Sequence, residues 1–252
     1  MQKFLNKKIA LVTGGNRGIG FETSKQLAKM RGMHVILTSR NEKLGHEAIH
    51  NLKSKFDLDL SYYKMDVSSL ESVRNVYDQV QSKFGRLDIL INNAGVALDK
   101  GKHILNIPAE NFIKTFQINY LGAFHTMRTF LPLMQKNGYG RVVNVSSSLG
   151  ELECIVEPYN AAYILSKFSL NALTQTFASA VDSDLIKINA LDPGYVKTAM
   201  GSSFANIEVE DSPKTILYLA TLGKNGPTGS FYRDMKLIEW TKPDEHVICR
   251  RR

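Results

Sequence analysis

The stretch KIALVTGGNRGIG, residues 8–20, decides the fold. An apolar, β-rich run at 8–13 leads directly into the glycine loop TGGNRGIG at 13–20, and a helical pattern begins at about 18. Glycine has no Cβ atom, so such a loop can turn tightly and can approach a pyrophosphate closely. A helix that begins beside Gly18 directs free N–H groups and a partial positive charge to the same point. The stretch therefore predicts a strand, a phosphate-binding turn and a helix.

Apolar runs and helical patterns alternate along the rest of the chain. Strands are predicted at 8–13, 34–39, 59–65, 86–92, 141–146 and 186–192, with a weaker seventh at 229–233. Helices are predicted between them at about 18–31, 42–55, 69–84, 108–136, 159–180 and 212–222. This alternation is typical of a parallel sheet with helices on both faces. We predict an α/β fold: one doubly wound, Rossmann-type domain over 1–242 with about seven strands, then a basic tail at 243–252.

The composition argues against several classes of protein. No apolar run approaches the roughly 18 residues of a membrane helix, and the run Ile9–Val12 is too short for a signal peptide. Two distant cysteines, Cys154 and Cys249, predict no disulfide framework. The net charge of +8 is spread along the chain, without the basic stripe of a nucleic-acid-binding module. We therefore expect a cytoplasmic protein that binds neither membrane nor nucleic acid, and whose positive charge suits an anionic small ligand.

One motif favours a different chemistry. Residues 46–50 read HEAIH and fit H-E-x-x-H, in which two histidines one helical turn apart bind zinc beside a glutamate base. A zinc hydrolase is therefore a rival hypothesis. On a helical wheel, however, the motif lies opposite an apolar face formed by Leu44, Ala48, Leu52 and Phe56. Because the motif would face solvent on an outer helix and no third ligand is marked, we predict no metal site.

Two tyrosines and a lysine recur at intervals of four in the stretch 157–169. In a helix, Tyr159, Tyr163 and Lys167 would lie on one face. Taken alone, they fit either a surface lysine beside packing aromatic rings or an ammonium that lowers the pKa of a reactive phenol. The rest of the chain has to decide between these alternatives.

Seven motifs together resemble the classical short-chain dehydrogenase/reductase family, and in particular its carbonyl-reductase-like members. They follow the order of that family and cover about 8–198: TGGNRGIG 13–20, MDV 65–67, NNAG 92–95, QINYLG 117–122, RVVNVSS 141–147, YILSK 163–167 and DPGYVKT 192–198. The spacing of the glycine loop, G-x-x-x-G-x-G, differs from the G-x-G-x-x-G fingerprint. The resemblance implies an NADP(H)-dependent oxidoreductase that transfers hydride between the nicotinamide and a carbonyl or alcohol substrate.

The resemblance also assigns roles to the tyrosine and the lysine. Tyr163 matches the acid/base tyrosine of the family because a lysine follows it four residues later. Lys167 would lower the pKa of that phenol and hydrogen-bond the nicotinamide ribose. Tyr159 would instead pack or line the cleft.

Two further catalytic residues are implied in the same way. Ser147 would hold the substrate oxygen as negative charge develops on it. Ser146 and Ser148 are the competing candidates, and Ser147 is preferred because Gly150 follows it by three residues, as in the family. Asn119 matches the asparagine that positions a water for proton relay.

The cofactor-binding residues implied by the resemblance lie after the predicted strands and beside the reactive tyrosine. They are Gly14, Asn16, Arg17, Gly18, Ile19, Gly20, Ser39, Arg40, Asp66, Val67, Asn92, Ala94, Gly95, Tyr163, Lys167, Pro193, Gly194, Val196 and Thr198. An unphosphorylated ribose is commonly held by an acidic residue after the second strand, but that strand ends here in Ser39 and Arg40. Arg40, helped by Arg17 and the Ser39 hydroxyl, would bind a 2′-phosphate, which predicts NADP(H).

The substrate pocket would be lined by 96–104, 148–160 and 195–211, whose sequences carry no transferable code. An apolar lining is suggested by Leu98, Ile155, Val156 and Phe204. The large insertion that precedes the tyrosine in animal carbonyl reductases is absent, which would leave helices 108–136 and 159–180 uncovered, so we expect a homo-oligomer. A cofactor-binding sensor or scaffold is the alternative to an enzyme, although such proteins typically lack the tyrosine or the lysine.

Overall fold

An eight-stranded sheet runs through the residues that the computed structural model describes, which are residue 4 and residues 6–56, 58–151, 155–201 and 204–239. The strands are β1 Lys8–Val12, β2 Met33–Ser39, β3 Leu60–Lys64, β4 Ile89–Asn92, β5 Gly140–Val145, β6 Ile186–Asp192, β7 Phe231–Arg233 and β8 Lys236–Ile238. They lie in the order β3-β2-β1-β4-β5-β6-β7-β8. The first seven strands are parallel, which confirms the predicted doubly wound sheet.

The eighth strand was not predicted. It pairs with β7 in antiparallel orientation, and Asp234 and Met235 connect the two strands with positive φ angles of 51° and 60°. Two such residues match the twist of a tight hairpin turn. A strand of three residues is too short to show a hydrophobic period, so β8 left no signal in the sequence. The predicted tail at 243–252 lies outside the described residues.

Seven α-helices cover the two faces of the sheet within the described part of the chain. They are α1 Gly18–Lys29, α2 Glu42–Phe56, α3 Leu70–Phe84, α4 Ala109–Phe116, α5 Gly122–Lys136, α6 Ala161–Ser179 and α7 Lys214–Ala220. Successive residues of a strand point to opposite faces, so Ile9 and Leu11 of β1 face one core while Ala10 and Val12 face the other. The first core contains α3, α5 and α6, and the second contains α1, α2 and α7.

The single helix predicted at 108–136 is divided by a π-helical turn. Residues Gln117–Leu121 form this turn between α4 and α5, and Ile118 and Asn119 are its buried members. Immediately after it, a Cβ atom added to Gly122 would lie only 2.7 Å from Cγ2 of Val67, so α5 starts in close contact with the loop after β3. A π-turn of this kind often marks a functional site, because it changes the direction of a buried side chain.

The helix predicted at 159–180 begins two residues later than expected, at Ala161. Asn160 adopts the left-handed conformation with φ 58°, which ends the extended segment before the helix. Tyr159 therefore precedes α6 and forms an isolated antiparallel bridge with His103. The prediction that Tyr159 shares a helical face with Tyr163 and Lys167 is wrong, because the left-handed residue intervenes.

The HEAIH motif lies on the solvent side of α2, as predicted. His46, Glu47 and His50 are exposed, and the described residues contain no group of three side chains that could hold a metal ion. Two members of the predicted apolar face are nevertheless exposed, Leu44 by 43% and Phe56 by 42%, since they lie near the two ends of α2. None of the described helices is long and apolar enough to cross a membrane.

Candidate active site

The loops after β1 and β4 are locked together at the carboxyl edge of the sheet. Thr13 Oγ1 accepts hydrogen bonds from the backbone N–H groups of Asn93, at 3.0 Å, and Ala94, at 2.9 Å. In return, Asn93 Nδ2 donates to the Thr13 carbonyl at 2.9 Å. Gly14 has φ 63°, and a Cβ atom added there would lie 3.0 Å from Cα of Ala94. Glycine is required at this position both by its backbone conformation and by the close approach of the two loops.

The N-terminus of α1 is left open by its own sequence. Arg17 occupies the N-cap without a capping side-chain hydrogen bond, and no acidic residue lies in the first turn. Gly18 has φ 55°, and a Cβ atom added to it would lie 3.3 Å from Cγ2 of Thr198. The glycine loop and the segment after β6 are therefore the two sides of one cleft. Uncapped N–H groups and the helix dipole fit an anionic group such as a pyrophosphate.

Asn119 and Lys167 meet beneath Gly95. Asn119 Oδ1 accepts from the Val96 N–H at 2.8 Å, and its Nδ2 donates to the Val96 carbonyl and to Ser166 Oγ, each at 2.9 Å. A Cβ atom added to Gly95 would lie 3.3 Å from Asn119 Oδ1 and 3.6 Å from Lys167 Nζ. The predicted Asn119 thus has a fixed, buried side chain, and Gly95 keeps the space above it open.

Lys167 is buried, with 5% of its surface exposed. Its Nζ donates to the Val145 carbonyl at 2.8 Å. Burial lowers the pKa of Lys167 to about 8, and the negative charge of Asp192 opposes that change. The ammonium also lies 5.6 Å from the centre of the Tyr163 ring.

The pKa of Tyr163 is raised to about 12 in the ligand-free cleft, chiefly by burial. The Ser147 hydroxyl acts in the opposite direction through a hydrogen-bonding interaction, while Asp192 raises the pKa further. Lys167, which was expected to lower this pKa, is not among the causes of the shift, in which burial outweighs the Ser147 hydroxyl. The Lys167 ammonium donates to the Val145 carbonyl, and the loss of hydration on burial has the largest effect on the pKa of the Tyr163 phenol.

Ser147 is the serine that interacts with the phenol. Ser146 instead is 2% exposed, and its Oγ donates to the Lys167 carbonyl at 3.3 Å. Ser148 opens the 3₁₀ turn Ser148–Gly150, for which Ser147 is the N-cap. The preference for Ser147 over its two neighbours agrees with these contacts.

Of the three side chains predicted to bind a ribose phosphate, the two arginines are exposed and the serine is buried. Arg17 and Arg40 are exposed, and neither forms an ion pair with any of the described residues. The predicted role of Ser39 is not supported. Its side chain is buried, and its hydroxyl donates to the Asn41 carbonyl at 2.8 Å, inside the turn that starts α2.

The Asn92 side chain is also committed elsewhere. Its Nδ2 donates to Asn144 Oδ1 at 2.8 Å, and its Oδ1 accepts from the Thr126 hydroxyl at 2.7 Å. Asn144 Nδ2 in turn donates to the Thr174 hydroxyl at 2.8 Å. This buried network ties β4 and β5 to α5 and α6. The Asn92 side chain therefore has a structural role, and only the Asn92 backbone is available to face a cofactor.

The remaining predicted cofactor residues lie at the same edge of the sheet. Asp66 Oδ1 accepts from the backbone and the hydroxyl of Ser68, at 3.0 and 2.6 Å, while Val67 is buried. After β6, Gly194 has φ 76° and donates its N–H to Asp192 Oδ1 at 3.0 Å. Val196 is buried and pairs with Ile207 as an isolated bridge.

Comparison with known proteins identifies the family and the architecture of the chain. A family model described as short chain dehydrogenase matches residues 8–208. The chain belongs to the short-chain dehydrogenase family. Carbonyl reductase (NADPH) 1 from Rattus norvegicus is 30% identical and covers 93% of this chain and 99% of its own.

Two solved structures are similar to the chain in sequence and in fold. ElxO with NADP bound has a TM-score of 0.81 and 32% identity, covering 89% of this chain and 96% of its own. NAD⁺-bound xylitol dehydrogenase has a TM-score of 0.80 and 28% identity, covering 90% and 96%. The predicted resemblance to the short-chain dehydrogenases and their carbonyl-reductase-like members is confirmed. The chain is therefore an oxidoreductase of a family that uses nicotinamide cofactors.

Large apolar side chains are exposed in or beside the loops that were expected to line the substrate pocket. Leu105, Val156 and Phe204 are exposed by 84%, 80% and 89%. Lys100 Nζ donates to the carbonyl groups of Met200, at 3.1 Å, and Gly201, at 2.8 Å, and so links two of the loops that were expected to line the pocket. Cys154, within the predicted lining segment 148–160, lies outside the described residues.

Sequence patterns missed Asp99, which organises the helix that carries Tyr163. Its carboxylate is fully buried, and Oδ2 accepts from the N–H groups of Ala162, at 2.7 Å, and Tyr163, at 3.4 Å. The residue caps α6 from a distant loop, so no local capping motif in the sequence could reveal it. The only signal in the sequence was the position of Asp99 shortly after the NNAG motif, and that position alone does not identify a capping residue.

The buried ammonium gives a prediction for stability. A folded pKa of about 8, below the ordinary 10.5, means that Lys167 destabilises the ligand-free fold at pH 7. That penalty should be full below pH 8 and should disappear as the pH rises to 10.5, where the unfolded chain also loses the proton. Lys167→Met should therefore raise the free energy of unfolding at pH 7 by about 1–3 kcal/mol, with a smaller gain at pH 10.

Urea unfolding at pH 7, 8.5 and 10 measures this difference. Lys53→Met, at an exposed position of α2, is the matched control and should change stability little at any of these pH values. A Lys167→Met protein that is less stable at pH 7, or whose stability difference does not change with pH, would contradict the prediction.

Proposed function

We propose that the protein is an NADP(H)-dependent carbonyl reductase or alcohol dehydrogenase, with Tyr163 as its acid/base. The observation that carries the proposal is the meeting of the Tyr163 phenol, the Ser147 hydroxyl and the Lys167 ammonium in one cleft, next to an uncapped helix N-terminus. The bound nicotinamide would supply or accept the hydride. The other steps follow from the side chains of this chain.

In the reductive direction, Ser147 would hold the carbonyl oxygen of the substrate and Tyr163 would protonate it as negative charge develops. The raised pKa of Tyr163 keeps the proton on the phenol at neutral pH, before the substrate oxygen needs it. In the oxidative direction the phenol must lose that proton, and the nearby positive charge of Lys167 would favour the loss once ligands alter the cleft. Asn119 would hold the relay water through its π-turn.

Removing the Tyr163 hydroxyl tests the central step. Tyr163→Phe should lower kcat by about 100- to 10,000-fold, the usual contribution of general acid/base catalysis, while cofactor affinity largely survives. Most predicted cofactor contacts lie elsewhere in the cleft. NADPH absorbance with a panel of aldehydes, ketones, quinones and steroids measures turnover, and NADPH fluorescence measures binding.

Tyr159→Phe is the matched control, because Tyr159 lies outside α6, with its backbone in a bridge with His103 and its ring packed against the His103 ring, and it should lose far less activity. A Tyr163→Phe protein that keeps more than about a tenth of the wild-type kcat would reject the acid/base role. A wild-type protein that binds NADPH but reduces no member of the panel would favour the sensor or scaffold instead.

The cofactor preference depends on two exposed arginines and on the absence of an acid after β2. Arg40 follows Ser39 at the end of that strand, and Arg17 lies in the glycine loop, so both can reach a 2′-phosphate. The rat relative is an NADPH carbonyl reductase and the ElxO structure contains NADP, whereas the xylitol dehydrogenase structure contains NAD⁺. Without the help of Ser39, the preference for NADP(H) is attributed to the two guanidinium groups.

We predict that kcat/KM favours NADPH over NADH by about 30- to 1,000-fold, from two charge-assisted contacts weakened by solvent screening. Arg40→Asp should move the preference toward NADH, since a carboxylate bonds a free 2′-hydroxyl and repels a phosphate. Arg31→Asp, exposed before the other end of β2, makes the same charge change and should leave the preference unaltered. Equal efficiency with both cofactors in the wild-type enzyme would show that this reading of Arg40 is incorrect.

The proposal includes assembly into a homo-oligomer through α4, α5 and α6. These helices and the π-turn between α4 and α5 leave large apolar side chains in solvent, including Ile113, 56% exposed, and Leu121 and Phe168, each 38% exposed. Burial of such surface against a second copy is favourable. The enzyme should therefore have a mass well above 28.2 kDa in solution.

Light scattering at micromolar concentration measures that mass, and Phe168→Asp should lower it. Phe56→Asp places the same charge on α2, at an apolar side chain that is 42% exposed, and should have no effect on the mass. A wild-type mass close to that of one chain would rule out the oligomer.

A further inference from the structure

A charged pair lies behind Tyr163 and Lys167. Asp192 and Arg233 are the last residues of β6 and β7 and are direct partners in the register of the sheet. Arg233 Nε donates to Asp192 Oδ2 at 2.7 Å, and the Gly194 N–H donates to Oδ1 at 3.0 Å. The side chain of Asp192 is only 6% exposed, whereas that of Arg233 is 39% exposed. A buried carboxylate is thus held in a fixed orientation at the carboxyl edge of the sheet.

This carboxylate lies one strand away from the group that holds the reactive lysine. Lys167 Nζ donates to the carbonyl of Val145, and Val145 is paired with Leu191, the residue that precedes Asp192. Asp192 raises the pKa of both Lys167 and Tyr163, so its charge reaches both groups. Burial alone would make the ammonium unfavourable, and a neutral carbonyl compensates for only part of the lost hydration.

We propose that Asp192, oriented by Arg233, is a positioning residue that supplies the counter-charge for Lys167 and keeps this lysine protonated in the cleft. The effect on turnover rests on the proposed function, but the effect on Lys167 does not. The charged and titratable groups around Asp192 are Lys167 and Tyr163 on α6, Arg233 on β7, and Glu151, which Arg233 contacts at 3.4 Å.

Arg233 has two effects in this arrangement. Its guanidinium fixes the direction of the carboxylate, and its positive charge offsets part of the field that Lys167 experiences. Removing the carboxylate should therefore make Lys167 lose its proton more readily. Removing only the guanidinium charge should make Lys167 hold its proton more strongly, as long as the Gly194 N–H keeps the carboxylate in place.

Carbon-13 NMR of protein labelled at the lysine ε-carbon measures the protonation of Lys167 directly in the ligand-free protein. The signal of Lys167 is assigned by its disappearance in Lys167→Arg. Asp192→Asn should lower the titration midpoint from about 8 by about 1 pH unit or more. Arg233→Gln should raise it. Two shifts of opposite sign are a signature that a general loss of stability would not produce.

The pH profile of carbonyl reduction provides the second readout. Lys167, with its pKa of about 8, loses its proton before Tyr163, with a pKa of about 12, so the rate should fall on the alkaline side as Lys167 becomes neutral. Asp192→Asn should move that fall to lower pH, and Arg233→Gln should move it to higher pH. Both movements should have the same direction as the shifts of the Lys167 midpoint found by NMR.

Arg86→Gln is the matched control. Arg86 pairs with the buried Asp88 before β4, at the opposite edge of the sheet, and its side chain is 36% exposed. This variant should shift neither the Lys167 midpoint nor the pH profile.

An unchanged Lys167 midpoint in Asp192→Asn and Arg233→Gln would overturn the proposal. If Asp192→Asn does not fold, Arg233→Gln decides alone: a raised midpoint supports the proposal, and an unchanged or lowered one refutes it. NMR shifts as expected in a protein that reduces no carbonyl compound would support the role of Asp192 toward Lys167 and count against the proposed function.

Discussion

The reciprocal hydrogen bonds between Thr13 and Asn93 are the constraint on which the rest of the structure depends. They join the loops after β1 and β4, the two neighbouring strands from which the chain winds in opposite directions. In a doubly wound sheet, this change of direction opens a crevice at the carboxyl ends of the strands, where ligands bind. The contact brings Gly14, which has a positive φ, close to Ala94, and the same glycine loop leads into the uncapped first turn of α1, so one loop shapes both the fold and the end of the cleft that suits an anion.

Burial is the main influence on the electrostatics of the cleft. It raises the pKa of Tyr163 and lowers that of Lys167, so both groups are driven toward their neutral forms. The four-residue spacing correctly predicted that the Tyr163 ring and the Lys167 ammonium are neighbours, but it gave no information about how much water surrounds them. Spacing in a helix specifies which groups are neighbours, whereas the pKa of each group depends on how much water and charge the other strands and loops leave around it.

The sequence predicted the parallel sheet and most of its helices, because buried strands and amphipathic helices have periods that survive in a single sequence. It also predicted that one cleft contains Ser147, Tyr163, Lys167, Asn119 and the glycine loop. It did not show which polar side chains are taken up by structural hydrogen bonds, whether with near or with distant residues.

Two polar side chains show the physical reason. Ser39 ends a strand as expected, but the turn into α2 captures its hydroxyl, and Asn92 is taken up by a network that reaches Thr126 and Asn144. From the sequence alone, each of these polar side chains could contact a ligand or form a structural hydrogen bond. Only the three-dimensional contacts distinguish them, because a buried polar group binds the nearest partner that satisfies it.

The loop after β4 couples the opening of the cleft to its chemistry. Asp99 caps α6 just before Tyr163, while its neighbour Lys100 bonds the carbonyl groups of Met200 and Gly201 across the cleft. A few residues later, His103 forms a bridge with Tyr159. A substrate that displaces this loop would therefore pull on the first turn of α6 and change the position of the phenol. Loops of this kind vary readily in sequence, but here the loop is tied by a buried carboxylate to the helix that carries Tyr163, so a change of substrate pocket has to preserve that capping contact.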